Sequence, residues 1–177
     1  MVNNSAIDTL TSLLQESSAK PILNARRFAP SAVYDLQYRM LVIGAAFEIH
    51  SKPFGPIMRR ILAPKLKLLQ FIAFRPWLVP VVRNWSETQG FAQQSMFSEQ
   101  QLRRGFISDE THDEVVEFLI ARRALDRMDR FISDGPNLGF LRELQAAANE
   151  GQMFQAAFDT LRELSDITIS NAMLEGW

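Results

Sequence analysis

The groups in this chain that bear on chemistry are few, and their spacing says more against catalysis than for it. His50 and His112 are the only histidines, and neither falls in a metal-ligand motif. Asp126, Asp129 and Asp134 suggest a carboxylate cluster, but Arg122, Arg123, Arg127 and Arg130 surround the first two at helical spacing, so ion pairing is the simpler reading. His112 lies among carboxylates on a helix-like stretch, which reads as raised basicity or, more simply, as a solvated surface histidine. His50 reads as a helix-end or core residue. The chain has no cysteine, which removes disulfides, thiol nucleophiles and thiolate metal sites together. It has no Gly-rich phosphate loop, no Gly-x-Ser-x-Gly elbow and no His-Glu-x-x-His. The expectation is a non-enzyme with no catalytic residue, no cofactor and no metal site.

Binding chemistry is better represented. Arg59, Arg60, Lys65 and Lys67 can present cations to phosphate oxygens and are the candidate nucleic-acid contacts. Lys65 and Lys67 are two residues apart, hence on different sides of a helix. Arg59-Arg60 follows a Pro-Gly-rich turn, which predicts exposure. Trp77 and Trp85 are eight apart, near two helical turns, and read as core or as partner anchors on one face. Ile7, Leu10, Leu13 and Leu14 form one apolar stripe on a short first helix capped by Ser5, and such a stripe needs a surface to lie on.

The elements that carry these residues read as helices. Lys20-Pro21 closes the first. A second runs from about Ala29 through His50, with Val33, Leu36, Met40, Leu41, Ile43, Gly44 and Phe47 near helical spacing. The turn-rich run 51–56 breaks it. Segments 57–62, 65–74 and 77–85 read as short helices, the middle one apolar on most sides and buried, with Pro56, Pro64 and Pro76 suited to first turns. Residues 86–97 read as a connection. Ser98 with Gln101 matches a capping box, and a helix over 109–123 has Val115, Val116, Leu119 and Ile120 as its apolar face. Residues 124–140 read either as continued helix or as two short strands, 130–132 and 138–140, around 133–137. The last helices read as 139–149 and 152–174. The fold class is mainly α: one multi-helix domain of two small lobes, with a short winged-helix-like hairpin near 130–140 as an open alternative.

Charge divides the chain along the same line. From Lys20 to Arg104 there are 13 Lys and Arg against 4 Asp and Glu; from Gly105 to Trp177 there are 6 against 14. The formal net charge of −1 hides this polarity. The reading is a basic helical lobe over 1–85, a connection over 86–97 and an acidic helical lobe over 98–177. Either each half meets an oppositely charged partner or the halves attract each other. The hydrophobic content of 47% suffices for a core. The N-terminus lacks a signal-peptide pattern, and the most apolar run, 66–82, is interrupted by charges and prolines. A cytoplasmic protein without membrane contact is expected.

Three segments carry a family resemblance. They are Tyr38-Arg39-Met40-Leu41-Val42-Ile43, the run from Pro64 to Leu78 with its Phe74-Arg75-Pro76 turn, and the run from Asp113 to Leu125. In this order, over roughly residues 34–140, the chain resembles the small middle subunits of bacterial ABC-three-component systems, which include the Lamassu-type anti-phage systems. It departs from that pattern at Gln70, where an acidic residue is expected, and at Ala124, where a glycine is expected. The resemblance implies a non-enzymatic accessory subunit in antiviral defence. Its partners would be an SMC-like coiled-coil ATPase and an effector, often a nuclease, with DNA sensed by the complex. The rivals are a stand-alone winged-helix DNA-binding regulator and a helical adaptor unrelated to defence. The candidate recognition helix, 109–123, carries five carboxylates against two arginines, which phosphate repels.

Overall fold

The computed structural model describes residues 30–88, 110–150, 155–170 and 174. The expected first helix with its stripe Ile7, Leu10, Leu13 and Leu14, and the expected helix over 98–104, lie outside the described residues. Helix α1 spans Pro30–His50, followed by strands β1 (Lys52–Phe54) and β2 (Met58–Leu62) and helix α2 (Ala63–Ala73). A 3-10 turn, Pro76–Leu78, leads into α3 (Val79–Thr88). The later segment repeats the helix–hairpin–helix order: α4 (Glu110–Ala121), β3 (Leu125–Met128), β4 (Phe131–Asp134) and α5 (Gly139–Glu150), then α6 (Gln155–Ser165). The protein is mostly helical with a small four-stranded antiparallel sheet, an α/β mixture rather than the mainly α fold that periodicity predicts.

Helix α1 is the axis of the core. Residues 40–47 are buried on every side, which its near-continuous apolar composition requires. It packs against α2, α4, α5 and α6. Helix α2 starts with Pro64 in its first turn and is buried from Leu68 to Ala73, as its sequence predicts. It stops at Phe74-Arg75-Pro76, where Arg75 lies 4.0 Å over the Phe71 ring and donates to the Phe71 carbonyl at 3.2 Å.

The sheet has the order β1-β2-β4-β3. Its centre pairs Arg60 with Ser133, Ile61 with Ile132 and Leu62 with Phe131, so the basic and acidic stretches of the sequence meet there. The pairing is symmetric about Ile61 and Ile132. Both side chains, with Leu125, are buried on the face turned to the helices. The other face carries Lys52, Phe54, Met58, Arg60, Phe131 and Met128, because residues directly opposed across antiparallel strands share a face.

The first hairpin corrects the reading of 57–62 as a helix. Gly55, at a φ of 73°, turns the chain between Phe54 and Met58. The second hairpin is present but sits earlier than 130–140. It reverses at Asp129-Arg130, with Asp129 at a φ of 54°, while Leu138 to Phe140 lead into α5. It is also not a free wing, because β4 is an inner strand. Helix α4 ends with Arg123 in the left-handed region; the Ala124 amide donates to the Leu119 carbonyl and the Arg123 amide to the Ile120 carbonyl. Gly135 then passes so close that a Cβ there would lie 2.2 Å from the Arg123 carbonyl oxygen.

Gly135→Ala should therefore destabilise the protein by about 1–3 kcal/mol, read as a lower urea midpoint. Gly139→Ala, where a Cβ meets nothing within 4 Å, should leave the midpoint unchanged or raise it slightly. Equal midpoints for the two variants would contradict the close approach at Gly135.

Candidate functional site

The strands and helices sort the four candidate cations into two groups. Arg59 and Arg60 are consecutive on β2 and point to opposite faces of the sheet. The Arg59 guanidinium donates to the Glu48 and Ser51 carbonyls at 2.9 and 3.1 Å and ion-pairs with the Glu48 carboxylate at 3.4 Å. Its backbone N–H donates to Asp134 at 2.8 Å. Lys67 pairs with Asp113 at 2.8 Å. These two candidates tie elements of the fold together. Arg60 and Lys65 lie instead in one groove, joined by Lys52, which periodicity did not single out.

This groove has a volume of about 480 Å³. The outer sheet face, with Lys52, Arg60 and Phe131, forms one side; His50 and Lys65 come from the helices, and residues 168–170 form the far wall. No carboxylate lines it among the described residues, and neither Lys52 nor Arg60 is ion-paired within them. Asp126 shares the sheet face but stands two strands from Arg60, about 10 Å away.

Arg60 is held rather than free. Its guanidinium carbon lies 3.7 Å from the Phe54 ring centroid and 4.3 Å from that of Phe131. The strand register explains this: both phenylalanines are diagonal neighbours of Arg60, one on each adjoining strand. The rings fix the cation without neutralising it, and the guanidinium fork remains suited to bidentate oxyanion binding. Lys65 has its charge disfavoured, first by burial and then by the neighbouring Lys52, which lowers its pKa. An anion in the groove would reverse that cost.

The histidines are poorly placed for proton transfer near neutral pH. His50 lines the groove, but its Nε2–H donates to the Leu161 carbonyl at 2.9 Å. Burial, with a smaller effect of Lys65, outweighs that bond and lowers its pKa to about 4. His112 is 3% exposed, which corrects the expectation of a solvated, more basic histidine. Burial, then Lys67 and Arg39, push it down to about 3. Its Nδ1–H donates to the fully buried Gln70 side chain, whose Nε2 has no partner among the described residues. A second cavity, of about 200 Å³, lies beside His112 beneath the Lys67–Asp113 pair.

The remaining candidates are scattered. Asp126 is on β3, Asp129 in the turn and Asp134 at the end of β4, and no group of three or more His, Asp or Glu able to hold a metal converges among the described residues. Arg127 pairs with Glu117 at 2.5 Å, and Arg122 lies over Phe118. Trp77 is 68% exposed in the 3-10 turn, whereas Trp85 is 4% exposed in the core, so they share no face. No described helix is long and apolar enough to cross a membrane.

The two histidines set a pH dependence. Both have folded pKa values below their ordinary 6.5, so the unfolded chain takes up protons first as pH falls. Their contribution to stability is complete above pH 6.5 and is lost toward pH 4 for His50 and pH 3 for His112. Each should add a slope of about 1.4 kcal/mol per pH unit within that window. Urea denaturation between pH 7 and pH 4.5 should show the loss, and His112→Gln should flatten it. An unchanged slope in that variant would contradict the buried neutral imidazole. Comparison of the chain with protein-family models, with curated proteins and with solved structures finds no match.

Proposed function

We propose that this chain is a non-enzymatic accessory subunit that uses the Lys52–Arg60–Lys65 groove to hold an anionic group of a partner. The observation that carries this reading is the convergence of three cations in a groove with no carboxylate among its described lining residues. Three other cations of the basic stretch meet carboxylates among the described residues: Lys67 with Asp113, Arg59 with Glu48 and Arg83 with Glu163. The groove gathers three cations in a concave surface, a form that concentrates anions. The groups that sequence offers for acid–base work are buried, or lie apart on different elements. That supports a binding role over a catalytic one.

The assembly follows from the resemblance to the small middle subunits of ABC-three-component systems. In that reading the subunit bridges an SMC-like ATPase and an effector, and the groove supplies the complex with a contact to nucleic acid during defence. The exposed Trp77 and the exposed hairpin tip at Ile57 are available as protein anchors. A stand-alone winged-helix regulator has less support. Its wing would be the β3–β4 hairpin, whose second strand is enclosed in the sheet, and α4 offers Asp113 and Glu117 where phosphate contacts are needed.

Co-expressed with the genes that flank its own, the chain should elute with a long coiled-coil ATPase in size exclusion. The variant Lys52→Glu/Lys65→Glu should keep that co-elution while losing heparin retention and the steep salt dependence of DNA binding. Elution alone with every neighbour present would overturn the subunit reading. Unaltered retention of the double variant would overturn the groove as the anion site.

A further inference from the structure

The groove is bordered by rings as well as cations, and that narrows its ligand. Phe54, Arg60 and Phe131 form a diagonal row across β1, β2 and β4 on the outer sheet face. Phe131 lines the groove, and Phe54 is 40% exposed beside it. Met58 and Met128 extend the same face and are each 37% exposed. An acidic peptide or a simple oxyanion would use the cations and leave these apolar surfaces open to water. A nucleotide has both parts: a phosphate for the cations and a flat base for a ring or a methionine side chain.

The shape distinguishes single strands from duplex. Lys65 is half-buried and its Nζ donates to the Ile169 carbonyl at 3.5 Å, whereas Lys52 is exposed, so the groove draws a phosphate inward from an exposed cation to a recessed one. A duplex carries its phosphates on a convex surface and keeps its bases stacked inside, out of reach of Phe54. A single strand can turn one phosphate into the groove and splay the neighbouring base against the sheet. Arg60, steadied by two rings, loses little further side-chain freedom when it grips that phosphate.

We infer that the outer sheet face binds single-stranded nucleic acid, with one phosphate held by Lys52, Arg60 and Lys65 and an adjacent base stacked on Phe54. This rests on the reading of the groove as an anion site, and the test separates the two. The probes are a fluorescein-labelled single-stranded DNA of about a dozen nucleotides, the matching duplex, heparin and poly-glutamate, each added to the full chain at low salt. The single strand should bind more tightly than the duplex. Phe54→Leu should weaken it about 10-fold, within the range seen for a lost base–aromatic stack, and should weaken heparin and duplex binding far less, because Lys52 and Lys65 are untouched and Phe131 still holds Arg60. Lys52→Glu/Lys65→Glu should abolish single-strand and heparin binding alike. If heparin binds but duplex equals single strand and Phe54→Leu is silent, the anion groove stands and the single-strand inference fails. Binding of poly-glutamate as tightly as of the single strand overturns it in favour of an acidic protein partner. If no polyanion binds, both readings fall.

Discussion

The pairing of β2 with β4 is the constraint on which the rest of the structure depends. A two-stranded hairpin is marginal alone in water, and each hairpin here is short. Joined through Arg60–Ser133, Ile61–Ile132 and Leu62–Phe131, they become one sheet with Ile61 and Ile132 against the core. The register is specified by those two isoleucines, because a slip of one residue would turn them to solvent and bring Arg60 inward. The same register puts Phe131 beside Arg60. One interaction therefore ties the two helix–hairpin–helix segments together and adds Phe131 to the Arg60–Phe54 contact that the first hairpin already makes.

Neighbouring cations in the chain part company for the same geometric reason. On a strand the alternation of period two sends Arg59 to Glu48 and Arg60 to the groove. On α2 a separation of two residues sends Lys67 to Asp113 and Lys65 to the groove. Exposed ion pairs such as Lys67–Asp113 and Arg83–Glu163 stabilise the fold by at most about 1 kcal/mol each. Their larger consequence is for recognition. They pair off Lys67 and Arg83, whereas the groove cations Lys52 and Arg60 meet no carboxylate among the described residues.

Helices were legible because each signal is local: the α1 apolar run ending at His50, Pro64 opening α2, and the stripe Val115, Val116 and Leu119 of α4. The opposite directions of Lys65 and Lys67 followed from spacing alone. The sheet was not legible, because Met58–Leu62 lacks polar–apolar alternation and gains its stability from a strand some 70 residues away in sequence. The second hairpin was displaced because Gly135-Pro136-Asn137 resembles a reversal. The chain instead reverses on Asp129, and Gly135 serves the close pass over Arg123. His112 had a usable signal that its acidic neighbours obscured: it stands at the i, i+3, i+4, i+7 spacing with Val115, Val116 and Leu119, the buried stripe. Trp77 and Trp85 diverged because α3 begins only at Val79, so helical spacing does not apply between them. Lys52 was missed because its role comes from sheet register rather than from any motif.

The central claim, that Lys52, Arg60 and Lys65 form one anion site distinct from the ion-paired Arg59 and Lys67, is tested most directly by side-chain NMR. Isotope-labelled protein titrated with pyrophosphate should show saturable shifts of the Arg60 Nε–Hε and of the Lys52 and Lys65 Nζ signals, with one common dissociation constant. The Arg59 and Lys67 signals should stay in place. Small, non-saturating shifts spread evenly over all five cations would contradict the account.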